Sequence, residues 1–220
     1  MTIKIHNYNI GNLGNRVGFL QVELTEEELK PIKNEIKTIQ ENFETAVFHK
    51  DLAGNLENEY TLTVSKKNIS NLIKPYIIEL QERVGVVHDV AINKEFFPYS
   101  LTKVWVNFMK KHEFNPLHIH SGTFSFVLWI NIPYDINEEM ARPSSINSNS
   151  CYPANFQFVF YSPNNQIETF QIPADKRWNN RLIVFPANLN HQVYPFYTSD
   201  DYRISVSGNF EFDVTKYFKE

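Results

Sequence analysis

The sequence predicts a mainly β chain of the α+β class, a jelly-roll-like double sheet preceded by N-terminal helices. Three observations predict it. Short β-branched and aromatic runs recur from residue 101 onward, separated by turn residues. Two stretches before residue 101 carry apolar residues at helical spacing. Aromatic residues make up 15% of the chain against only 7 glycines, a balance that suits a β-rich core better than a flexible chain.

The first helix begins in TEEELKPIKNEIKTIQENF. Thr25 followed three residues later by Glu28 is a capping-box pattern, and such an N-cap contributes about 1 kcal/mol. Leu29, Ile32, Ile36 and Ile39 then repeat at the helical period. A second helix is expected over 70–84, where Leu72, Ile73, Tyr76, Ile77 and Leu80 form one apolar side. Pro75 is expected in its first turn, where a missing N–H costs little. Between the helices, HKDLAGNLENEYTL reads as loop.

The strands follow as LTKVWVNFM, TFSFVLWINI, NFQFVFY, TFQI, RLIVFP, HQVYPFY and YRISVSGNFEF, about seven at sandwich spacing. Phe124, Phe126, Leu128 and Trp129 are expected to pack in the core. Residues 136–155, INEEMARPSSINSNSCYPAN, are polar and carry Pro143 and Pro153. A connection of that length is expected to be a mobile lid or binding loop.

Charge and composition narrow the function. The net charge of -4 offers no basic field for duplex nucleic acid. The sequence contains no run of 18 apolar residues, and MTIKIHNYNIGN lacks a signal pattern. With Cys151 as the single cysteine, no intrachain disulfide is possible. The expectation is a soluble cytoplasmic protein with no membrane partner.

Three of the seven histidines stand out. His118 and His120 form His-x-His in NPLHIHSGTFSFVLWINIP, and alternate residues of a strand share a face. His191 follows a later apolar strand and a Pro-containing turn. Together, three imidazoles on one face of a barrel supply half an octahedron. The three open positions are what a non-haem Fe(II) site needs to bind a chelating co-substrate and O2. A structural zinc would want a closed tetrahedral set, and one cysteine gives no thiolate cluster for it. His6, His49, His88 and His112 show no partner pattern and read as ordinary residues. Arg203 opens the last strand; a guanidinium in an apolar cavity is costly unless it meets an anion, and a carboxylate of a small dicarboxylic acid fits.

Trp105-Val106-Asn107, residues 115–120, Phe185-Pro186, His191 and Arg203-Ile204-Ser205 together resemble the 2-oxoglutarate- and Fe(II)-dependent oxygenases. The resemblance is nearest to the oxygenases of that superfamily found in marine phages and bacteria, related in fold to prolyl hydroxylases. It spans about residues 46–212 and includes the Leu-Ala-Gly segment at 52–54. It implies one oxygenase domain over 1–220, with 1–100 mainly helical and 101–215 a double-stranded β-helix core. It implies a cytoplasmic enzyme, in the host cytoplasm if phage-encoded, that hydroxylates a peptidyl or small-molecule substrate. Its cofactors are Fe(II), 2-oxoglutarate and O2, with release of succinate and CO2. By the same resemblance His118, His120 and His191 are the iron ligands and catalytic residues, and Arg203 and Ser205 take the far carboxylate of 2-oxoglutarate. Asn107 is expected to line the same pocket. The chain departs from the superfamily at His120, where most members place a carboxylate. Two other readings stand beside this one. A cupin-type metal dioxygenase or isomerase would not use 2-oxoglutarate, and a β-sandwich binding module would have no activity.

Overall fold

The computed structural model describes residues 8–14, 17–44, 46, 53–84 and 92–217. His6, His49 and His88 lie outside them. The chain opens with two strands, β1 (Tyr8–Gly14) and β2 (Val17–Glu23), before α1 (Glu26–Glu41). Then come β3 (Glu59–Thr61), α2 (Lys66–Val84), β4 (Tyr99–Met109), β5 (Asn115–His118) and β6 (Phe124–Asn131). After α3 (Ile136–Met140) and α4 (Pro143–Ile146) the chain runs through β7 (Phe156–Tyr161), β8 (Ile167–Ile172), β9 (Arg181–Pro186), β10 (Asn190–Val193) and β11 (Arg203–Phe212) to α5 (Val214–Tyr217).

The strands form two antiparallel sheets. The major sheet has the order β1-β2-β9-β6-β11-β4-β3, and the minor sheet β5-β10-β7-β8. All seven expected strands are present. The N-terminal region, expected to be mainly helical, also carries strands, and β2 pairs with β9 to extend the major sheet. In isolation these segments offer weak β propensity; β9 gives β2 a pairing edge, and β2 gives one to β1.

Period-two alternation divides the core. Phe124, Phe126 and Leu128 of β6, Val104, Val106 and Phe108 of β4, and Val206 and Phe210 of β11 pack toward the helices. Val127 and Trp129 of β6 and Ile183 and Phe185 of β9 turn the other way, toward the minor sheet. There they meet Phe156 and Phe158 of β7. The face that β11 and β4 turn to the minor sheet is more mixed, with Arg203, Ser205 and Asn107 buried on it beside Trp105 and Met109.

The helices cover the outer face. α1 has the full capping box at Thr25 and Glu28 and buries Leu29, Ile32 and Ile36. α2 begins at Lys66, so Pro75 lies in its interior and not in its first turn. The extra turn exists because Glu35 of α1 caps it from a distance, accepting the N–H groups of Thr63, Val64 and Ser65 at 2.7, 2.9 and 2.7 Å. Complete burial of Tyr76 and Ile77 offsets the hydrogen bond that Pro75 cannot donate. Part of the segment expected to be loop is the strand β3, paired with β4.

Residues 136–146 are also not an open loop. α3 and α4 fold there, and the fully buried Glu139 carboxylate accepts the N–H groups of Tyr197 and Thr198 at 2.9 and 2.8 Å and the Thr198 hydroxyl at 2.7 Å. Among the described residues no helix is long and apolar enough to cross a membrane.

Candidate metal and co-substrate site

β5 and β10 are antiparallel, and His118 is directly opposed to His191. The register is irregular there: His191 pairs with His118, while Val193 pairs with Asn115. Residues three apart on a regular strand face opposite sides. The extra residue in β5 is a β-bulge, and it lets Asn115 and His118 both face the same pocket. Pro116 sits in the bulge, where the ladder can spare an N–H.

His120 is not on that strand. β5 ends at His118, and His120 lies in the following turn, tied by its N–H to the Ala187 carbonyl at 2.9 Å. The edge of its ring contact with Trp105 fixes it further, at 5.7 Å between centroids. The expectation that both histidines share one strand face is corrected in that respect, yet all three imidazoles converge. Their nearest ring nitrogens lie within 4.8 Å of one another, so the three could hold a metal ion.

Carbonyl groups set the ring tautomers. His118 Nδ1 lies 2.6 Å from the Pro116 carbonyl, and His191 Nδ1 lies 2.8 Å from that of Leu189. A carbonyl only accepts, so each Nδ1 carries the proton and each Nε2 presents a lone pair. His191 Nε2 is 3.1 Å from His120 Nε2. Two nitrogens each about 2.1 Å from one ion and at right angles lie about 3.0 Å apart, so this spacing suits adjacent ligands.

Burial keeps the imidazoles neutral. It lowers His118 despite the opposing Pro116 carbonyl. His120 is brought to about 4 by burial, then by His118 and Lys103. His191 is lowered well below the ordinary imidazole range by burial, then by His118 and His120. Neutral rings are the form that binds a metal.

The mixed face of β11 and β4 forms the other wall. Arg203 and Ser205 are separated by one residue and share a face, and Asn107 stands opposite Ser205 across the strand pair. All three line the pocket with the histidines. Asn107 Nδ2 is 3.4 Å from Ser205 Oγ. Arg203 is 3% exposed; among the described residues its side chain makes one hydrogen bond, a long one of 3.4 Å to the Tyr134 hydroxyl, and its Nε has no partner. Among the described residues no carboxylate pairs with it. A buried guanidinium left this way fits an incoming carboxylate.

The sequence-predicted residues His118, His120, His191, Arg203, Ser205 and Asn107 are therefore all brought to one pocket. None of residues 136–155 is among the pocket's lining residues. His112 is exposed, with φ of 72° and its ring against Tyr197, apart from the cluster. Sequence reasoning missed Leu56 and Tyr134, which carry no local signal. It also missed Ser207, which the period of two from Arg203 and Ser205 could have supplied.

Residues 103–209 match a family model described as "Putative 2OG-Fe(II) oxygenase". Solved structures with the same fold include a Pseudomonas putida prolyl-4-hydroxylase, at 10% identity, covering 89% of this chain and 92% of that one with a TM-score of 0.52. The non-heme alpha ketoglutarate dependent epimerase SnoN from nogalamycin biosynthesis aligns at 15% identity over 91% of this chain and 79% of its own, TM-score 0.51. The carbocyclase SnoK of the same biosynthesis aligns at 10% identity over 89% and 79%, TM-score 0.50. No curated protein matches the sequence. The family match covers 107 of the 220 residues and is to 2OG-Fe(II) oxygenases, and the solved structures share the fold. The resemblance read from the sequence stands, and the cofactors of that class are Fe(II), 2-oxoglutarate and O2.

Proposed function

We propose that this chain is an Fe(II)- and 2-oxoglutarate-dependent oxygenase that hydroxylates a peptidyl or small-molecule substrate. The observation that carries the reading is the meeting, in one pocket, of three imidazoles with an unpaired buried guanidinium. His118, His120 and His191 would hold the metal, and Arg203 with Ser205 the far carboxylate of 2-oxoglutarate. Asn107 keeps Ser205 in place from the opposite strand. Iron and 2-oxoglutarate, when bound, supply the oxidising chemistry, consuming O2 and releasing succinate and CO2.

The protein's part is orientation, charge balance and exclusion of water. The Pro116 and Leu189 carbonyls hold two ring lone pairs on one point. Three neutral imidazoles add no charge to a divalent ion, so the dianionic co-substrate meets a more positive centre than a carboxylate ligand would leave. Trp105, Met109, Phe156 and Val193 give the pocket its apolar lining.

His120 in a position where a carboxylate is usual favours a second reading, a cupin-type metal dioxygenase without 2-oxoglutarate. Arg203 argues against it, since such an enzyme has no need of a dicarboxylate clamp. SnoN and SnoK are described as an epimerase and a carbocyclase, so the fold allows outcomes besides hydroxylation. Succinate release from 2-oxoglutarate by the iron-loaded protein in air is the test. Release that disappears in His191→Ala supports the proposal. Iron binding with no 2-oxoglutarate binding would favour the cupin reading.

A further inference from the structure

Glu59 lies on β3, directly opposed to Asn107 of β4, which is in turn opposed to Ser205 of β11. Opposed residues of an antiparallel pair point to the same face, with Cβ atoms about 5 Å apart. Glu59 therefore shares the pocket-side face with Asn107 and Ser205. It is only 4% exposed. Among the described residues its carboxyl has no hydrogen-bond or ion-pair partner, a costly state for a buried acid.

The surroundings hold no such partner among the described residues. Gly54 packs closely against Glu59 and Asn115: a Cβ there would stand 3.2 Å from Glu59 Oε1, 3.1 Å from Asn115 Oδ1 and 2.1 Å from the Leu56 side chain. Asn115 and Leu56 both line the histidine pocket. Asn107 Oδ1 is buried without a partner as well. Lys110, which directly follows β4, has its Nζ 2.6 Å from Glu57. Glu113 accepts the N–H groups of Glu57 and Lys110 at 3.1 and 2.7 Å, and its charge acts on Glu59. This wall offers a buried carboxyl beside amide oxygens, and among the described residues no cation is hydrogen-bonded or ion-paired to that carboxyl.

We propose that Glu59 is a specificity-determining residue that binds a cationic group of the substrate, an ammonium or guanidinium, at the wall beside the histidines. The proposal rests on the reading of the pocket as an oxygenase site. It narrows the substrate class to molecules or peptides carrying a basic nitrogen. The unpaired acid then gains a charge-assisted hydrogen bond on binding, with Asn107 Oδ1 and Asn115 Oδ1 available to the remaining N–H groups.

The test is calorimetric binding of n-butylguanidinium and of its neutral isostere n-butylurea to the anaerobic protein loaded with Fe(II) and 2-oxoglutarate. The parent is expected to prefer the cation by roughly tenfold or more, the scale of a hydrogen bond to a charged group. Glu59→Gln is expected to lose that preference while keeping iron and 2-oxoglutarate, and Glu59→Asp to retain part of it. A structural role alone would not move the ratio of cation to isostere. Absence of a preference in the parent, or an undiminished preference in Glu59→Gln, overturns the proposal. Should Glu59→Gln not fold, the parent and Glu59→Asp ratios decide. Failure of the parent to bind iron or 2-oxoglutarate would defeat the oxygenase reading instead, and the same ratio measured without them would still judge Glu59.

Discussion

His118 and His191 face each other directly across β5 and β10, their ring centroids 4.3 Å apart. Two of the three clustered imidazoles thus meet through strand pairing, and the third reaches them from the turn after β5. A cross-strand pair is held by backbone hydrogen bonds on both sides, since β10 also pairs with β7. Such a frame positions side chains more closely than a loop does.

Arg203→Ala is expected to weaken 2-oxoglutarate binding by about 2–5 kcal/mol, the scale for truncating one partner of a buried charge pair. Iron should stay in place. Arg203→Lys should restore part of the affinity, because an ammonium lacks the planar two-donor fork. Titration of 2-oxoglutarate into the anaerobic iron-loaded variants measures both.

His120→Asp is expected to hold iron better than His120→Ala and to bind 2-oxoglutarate less tightly than the parent. The added carboxylate is a metal ligand, and it also places a negative charge beside an incoming dianion. Metal analysis and a 2-oxoglutarate titration give the two answers separately.

Glu139→Ala is expected to lower stability by about 2–4 kcal/mol, because it strands the N–H groups of Tyr197 and Thr198. Denaturant unfolding measures the loss. Limited proteolysis should then cut within residues 136–155 faster in the variant than in the parent, with metal content unchanged.

Glu59 gives a pH dependence. Burial, with the Glu113 charge adding to it, raises its carboxyl to about 7 from an ordinary value near 4.5. Above pH 4.5 the unfolded chain releases this proton while the folded protein keeps it. Stability therefore falls as pH rises from about 4.5 to about 7, then levels off. Unfolding curves of Glu59→Gln should lack this component, so the gap between variant and parent should widen in the variant's favour across that window. A gap constant with pH would contradict the assignment.

Much of this was legible in the sequence because it depends on local period and local chemistry. Thr25 and Glu28 announced their own cap, and the alternation of Phe124, Phe126 and Leu128 against Val127 and Trp129 announced a strand. Arg203-x-Ser205 placed two polar groups on one face by the same period. What stayed hidden depends on partners far along the chain. The start of α2 is set by Glu35, some thirty positions earlier, and β2 is a strand because β9 offers it an edge, as β2 does to β1. The bulge at Pro116 could not be read from β5 alone, since it is defined only by the register against β10. Residues 136–146 looked like polar loop because the contacts that order Glu139 come from Tyr197 and Thr198. Glu59, in a short strand that reads as loop, gave no sign of burial.

The most direct measurement is the iron content of the parent and of His118→Ala, His120→Ala and His191→Ala after anaerobic loading with Fe(II) and dialysis. The three imidazoles are held to be one site, so the parent should retain about one iron per chain and each variant should lose most of it, two ligands competing poorly with water. Parent-level iron in His191→Ala, the buried member of the cluster, would contradict that account.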